Sequence, residues 1–185
     1  MTLHLPVTAG PAPAATDSSS AGAQPVGVEV LVCGSPDRGD DGAAVAAAAL
    51  LPGHLPDGVR VRSVGQLDID DLLAVPATAG VVIVDAASGL RPGQIVDLPL
   101  AGLIGRPERL RPRSSHAVGL PEVVALAELI QGRPVRGRIV AIGAVDFGLG
   151  RALSRPVAAA MPALISAILG AIAEIRTTVP GEAGL

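Results

Sequence analysis

Gly80-Val81-Val82-Ile83-Val84-Asp85-Ala86 is a continuous β-branched run closed by a carboxylate. An unbroken apolar stretch of this length, without polar alternation, marks a strand covered on both faces in a parallel sheet. Neighbouring segments extend the pattern outward. Val26–Cys33 (VGVEVLVC) reads as a strand, Gly34–Gly39 as a loop of turn formers, and Asp40 and Asp41 open a helix to about Leu51. VRVRSV (59–64) is a second strand with clear alternation, and Asp68–Val75 is a short helix. Gln94–Leu98 is a short strand that can sit on an edge. Residues 99–116 form a long polar loop carrying Arg106, Arg109, Arg111 and Arg113. Gly119–Gln131 is helical, Arg138–Ala144 is a strand and Ser154–Thr177 is a long final helix. Strands alternating with helices predict an α/β fold: a three-layer α/β/α sandwich with a mostly parallel twisted sheet of about five strands.

The 185 residues fit one domain, and 49% hydrophobic residues exclude a disordered chain. The division is a flexible Ala/Pro/Ser-rich leader at 1–25, a single α/β domain at 26–178 and a short tail at 179–185. The core is aliphatic, because Phe147 is the sole aromatic residue. A net charge of -3 and the lack of aromatic stacking platforms argue against nucleic acid as a partner. Cys33 stands alone, so no intramolecular disulfide forms. The mean hydropathy of +0.53 raises the membrane question. The longest nearly apolar run, Val157–Ala173, holds Pro162 and Ser166 and falls short of the ~20 residues a spanning helix needs. Its larger residues recur at a spacing of three to four, one face of a core helix. The N-terminus shows neither a basic n-region nor a continuous apolar segment. No membrane span and a cytoplasmic location are expected.

Sheets of this kind bind ligands outside the carboxyl ends of their strands. That edge gathers the Gly34–Gly42 loop, Asp85 at the end of the central strand, and Ser114-Ser115-His116 at the entry to a helix. Asp41, Asp85 and His116 can therefore meet in one cleft. Two carboxylates and an imidazole form an O/O/N set suited to a divalent metal such as nickel or zinc. Each residue also has a structural alternative. Asp40 or Asp41 can cap the helix, Asp85 can satisfy a turn, and His116 can be a solvated loop residue. Asp68, Asp70 and Asp71 suit the first turn of a helix and read as structural; Cys33 reads as a small buried residue. The chain has no G-x-S-x-G elbow and no H-E-x-x-H helix. Its Gly-rich loop lacks the Lys of a P-loop and puts carboxylates where a phosphate would sit.

Taken together, VLVCGSPDRGDDGAAVAAAALL (30–51), Asp68–Leu73, VVIVDAASGLRPGQIV (81–96), SSHAVGLPEVVALAELI (114–130) and AIGAVDFGLGRALSRPVAAAMPALI (141–165) resemble the hydrogenase maturation endopeptidases. Those enzymes process the large subunit of nickel-iron hydrogenases. The resemblance covers roughly 26–177. It implies an endopeptidase that removes the C-terminal extension of the immature large subunit after nickel insertion. By position it implies that Asp41, Asp85 and His116 are the metal-binding and catalytic residues. It also implies that the substrate supplies the nickel and that no tightly bound metal belongs to the enzyme itself. The precursor large subunit is the implied partner. Ser35 stands where the family usually has Asn, and Ala44 where Gly is frequent. Two rival classes are a non-catalytic accessory protein binding the same precursor and a small-molecule metallohydrolase holding its own zinc.

Overall fold

The computed structural model describes residues 27–103 and 119–178. The expected leader, most of the 99–116 loop with its arginines and His116, and the short tail lie outside the described residues. The elements, in chain order, are β1 (Val28–Cys33), α1 (Ala43–Ala49), β2 (Val59–Gly65), α2 (Ile69–Leu73), β3 (Gly80–Ala87), β4 (Ile95–Pro99), α3 (Leu120–Gln131), β5 (Gly137–Gly143) and α4 (Arg155–Thr177). Among the described residues five strands form one sheet in the order β2-β1-β3-β5-β4. β1 pairs in parallel with β2 and β3, and β3 with β5. β4 closes the edge antiparallel to β5.

Strand alternation sorts the core into two layers. Val30, Val32, Val82, Val84, Val140 and Ile142 point to the face covered by α1 and α4. Leu31, Cys33, Val81, Ile83 and Ile139 point to the face covered by α2 and α3. The run at 80–86 is continuous because β3 lies between β1 and β5 and is covered on both sides. By the same parity Asp85 stands on the α2/α3 face, in line with Val81 and Ile83.

The expected first helix is broken into two pieces. Gly39–Gly42 is a single 3-10 turn, and α1 begins only at Ala43. The cause is local: Gly39 has φ +57, and the Asp40 side chain is drawn away from the helix by distant backbone donors. The polar loop after β4 also starts differently from expectation, with Leu100 and Leu103 buried beneath α3 as an apolar anchor.

α4 is 23 residues long and apolar enough, by length and composition, to cross a membrane. Here it lies along the sheet instead, burying Val157, Leu164, Ile168, Ala171, Ile172 and Ile175 against β3, β4, β5 and α1. Its inner stripe follows the expected spacing of three to four, and its outer face is mostly Ala, Gly and Ser. Pro162 is accommodated inside the helix.

Ile168 is fully buried at the centre of this stripe. Ile168→Ala should lower the stability of the chain by about 2–5 kcal/mol through lost burial and a residual cavity. An unfolding free energy from urea titration lowered by less than about 0.5 kcal/mol would show that α4 is not a core helix.

Candidate active site

The β1/β3 boundary is the point where the strand order reverses. From β1 the chain turns outward to β2, then crosses back to β3 on the other side. A crevice opens at such a point, outside the carboxyl ends of the two strands. The loop after β1 and the last residues of β3 supply its polar groups.

Gly34 leaves β1 with φ +97, and a side chain there would collide with the backbone carbonyl of Asp41. Glycine therefore lets the loop fold back onto its own continuation. The Gly34 N–H donates to the Gly65 carbonyl at 2.7 Å, and the Ser35 N–H donates to Asp41 Oδ2 at 2.9 Å. One Asp41 oxygen is fixed by this bond; the carboxylate itself is only partly buried.

Asp40, its neighbour, has a different task. It is fully buried, and its carboxylate accepts N–H donations from Val145 (3.0 Å), Asp146 (3.0 Å) and Ser154 (2.6 Å). Burial acts to raise its pKa, but the three backbone donors outweigh it and hold the carboxyl below the usual aspartate value. Neither aspartate makes a side-chain cap to the 3-10 turn or to α1, so the capping alternative is set aside. Sequence reading missed this lock. Its only trace was the pair of adjacent aspartates, of which one at most can cap a helix.

Asp85 lies within β3, opposite Ala141 of β5, and the strand continues to Ala87. It is therefore not a turn residue. Asp85 Oδ1 accepts the N–H of Ala86 at 2.8 Å. Burial pushes its carboxyl up to about 6; the Ala86 N–H acts to lower it and the Asp41 charge adds to the rise. Each of the two carboxylates thus has one oxygen held by a backbone N–H.

Cys33 ends β1 on the same face and is buried, as expected. Burial raises its thiol pKa, with Asp85, Asp71 and Asp41 adding to the effect. Asp68 and Asp71 form a reciprocal capping box at the start of α2, and Asp71 also pairs with Arg62, which matches their structural reading. Among the described residues no group of three or more His, Cys, Asp and Glu is placed to hold a metal. Asp41 and Asp85 are brought together; His116, four positions before the first residue of α3, lies outside the described residues.

The fold is a five-stranded α/β sandwich with Asp41 and Asp85 at the edge where the strand order reverses. Comparison with known proteins makes the assignment specific. A family model described as hydrogenase maturation protease matches residues 52–171, which include Asp85 and His116 but begin after Asp41. The chain belongs to the hydrogenase maturation protease family, and it is a peptidase of that class. Several solved structures share its fold. The Escherichia coli hydrogenase maturating endopeptidase HybD is 21% identical, with a TM-score of 0.66 over 80% of this chain and 93% of that one. The HybD maturation protease of Thermococcus kodakarensis is 24% identical, with a TM-score of 0.59 over 80% and 97%. A hydrogenase 2 maturation peptidase from a Thaumarchaeota archaeon is 28% identical, with a TM-score of 0.53 over 79% and 97%. No curated protein matches the chain by sequence.

Two predictions separate the roles of the aspartates. Asp40→Ala removes the shared acceptor of three backbone N–H groups and should cost about 2–4 kcal/mol of stability. Because the native pKa of Asp40 is depressed, this contribution is complete above the ordinary value of 3.8 and fades as the pH falls through the lower folded value. Asp41→Ala, by contrast, should cost no more than about 1 kcal/mol. Equal urea midpoints for the two variants at neutral pH would refute this division.

Asp85 has the opposite sign. Its folded carboxyl keeps a proton up to about 6, against 3.8 ordinarily, so the folded chain binds more protons in that window and stability falls as pH rises through it. Asp85→Asn should accordingly stabilise the protein by about 1–3 kcal/mol above neutral pH and change little below about pH 4. Urea unfolding at the two pH values checks this, and a pH-independent difference would contradict it.

Proposed function

We propose that this peptidase removes the C-terminal extension of the immature nickel-iron hydrogenase large subunit, and that it reads the nickel already inserted there through Asp41, Asp85 and His116. The observation that carries the reading is the placement of Asp41 and Asp85 on the loop after β1 and the end of β3, the two segments that border the β1/β3 crevice. Carboxylates that share one crevice are costly to ionise together unless a cation or a proton is shared between them. A substrate metal supplies that cation. The donor chemistry fits, since oxygen and imidazole ligands suit a borderline divalent ion.

In this account the nickel is part of the substrate and belongs to the precursor. Ser35 and Ala86 orient the two carboxylates through their backbone N–H groups, leaving each with an oxygen for the ion. His116 supplies the nitrogen donor. The water that attacks the peptide bond would be activated by a carboxylate of the site or polarised by the substrate's metal. The reaction belongs to the cytoplasm, and the partner is the precursor large subunit.

Incubation with nickel-loaded and nickel-free precursor, read by mass spectrometry, tests this reading. Only the nickel-loaded form should lose its extension. Asp85→Asn and His116→Ala should each slow the loss by more than about 100-fold while the variants remain folded. Shortening of neither form, or wild-type rates in both variants, would refute it. Stoichiometric zinc in the purified protein would favour a metallohydrolase instead.

A further inference from the structure

The loop joining β5 to α4, residues 144–154, carries two large apolar side chains in water: Val145 is 61% and Leu149 is 78% exposed. Other exposed large apolar residues among those described stand on the outer face of α3, at the end of α1 or on β2. Val145 and Leu149 alone of that group stand on a loop at the carboxyl edge of the sheet. The loop starts beside the candidate site, since the Ala144 N–H donates to the carbonyl of Ala87, two residues beyond Asp85, at 3.0 Å.

This loop has little freedom to tuck those side chains away. Asp40 holds it at Val145, Asp146 and Ser154. Gly150 donates to the Asp37 carbonyl at 2.7 Å, and Gly39 donates to the Arg151 carbonyl at 3.2 Å, which zips the loop to the one bearing Asp41. Asp146 further accepts the Gly148 N–H at 2.9 Å and pairs with Arg151. Phe147 packs against the core between the two exposed residues in sequence. Fixed backbone around exposed apolar groups is the arrangement of a preorganised contact, which loses little entropy when a partner covers it.

We propose that Val145 and Leu149 form the wall of the site that recognises the precursor as a peptide, by covering an extended apolar segment next to the bond that is cut. The inference rests on the endopeptidase reading above and adds what that reading lacks. Carboxylates and an imidazole select a cation or move a proton, but they do not select a peptide. The Asp40 carboxylate joins this loop to the one bearing Asp41, and the Ala144 N–H joins it to the end of β3 beyond Asp85, so the apolar wall borders both segments that carry the aspartates.

The test uses full-length nickel-loaded large-subunit precursor from the same source as the enzyme. Its affinity for wild type, Val145→Ser, Leu149→Ser and Leu149→Met is measured by biolayer interferometry, alongside the rate of shortening at saturation. Both serine variants replace exposed residues and should keep the wild-type melting temperature. Leu149→Ser should weaken precursor binding about 10-fold, as expected for losing most of one buried leucine contact. Val145→Ser should weaken it several-fold, Leu149→Met should bind like wild type, and the saturated rate should stay unchanged. A wild type that binds with this dependence on Leu149 yet never shortens the precursor would uphold the recognition wall and remove the endopeptidase reading. Equal affinity for wild type and Leu149→Ser, or no binding by wild type, would overturn the inference.

Discussion

The Asp40 carboxylate accepts three backbone N–H groups contributed by residues more than a hundred positions away, and the active edge of the molecule is assembled around that contact. It joins the loop after β1 to the loop after β5 and secures Ser154 directly before α4. A buried carboxylate is costly unless its oxygens are fully engaged. Here each oxygen has a charge-assisted partner, so the group stays ionised and the loops stay in register. Loss of the contact would loosen the backbone that carries Asp41, leaving it tied to the β5–α4 loop by main-chain bonds alone.

Adjacent aspartates consequently divide stability from chemistry. Asp40 points inward and is stabilised by the fold. Asp41 faces the crevice and interacts unfavourably with Asp85, whose carboxyl is raised by burial and by that neighbour. The domain tolerates this unfavourable pair because the β1/β3 crevice is held by extensive aliphatic burial on both faces of the sheet. A carboxyl pushed up by burial on a well-packed scaffold is the pattern expected of a working site.

Much of the fold was legible in the sequence. The β-branched run at 81–84 announces a central parallel strand, and the spacing of Leu164, Ile168, Ile172 and Ile175 announces a helix with one inner face. Periodicity carries no strand direction, so the antiparallel course of β4 was not legible. It also carries no tertiary partner. Asp40 therefore read as a cap, since helix starts favour aspartate and its true donors lie 105 to 114 positions downstream. Asp85 was open between a turn and a ligand; the continuation of β3 to Ala87 removes the turn. Asp41 and Asp85 were picked from chemistry at strand ends, and the topology does put both segments at one edge of the sheet. His116 was picked by the same reasoning and by resemblance, and it lies outside the described residues.

The central claim is that protein carboxylate and imidazole groups engage nickel carried by the precursor. X-ray absorption at the nickel K-edge, on the nickel-loaded precursor alone and in complex with this chain, tests it most directly. Complex formation should add oxygen and nitrogen scatterers to the nickel shell, and Asp85→Asn should diminish the change. A nickel environment identical in the free precursor and in the complex would contradict it.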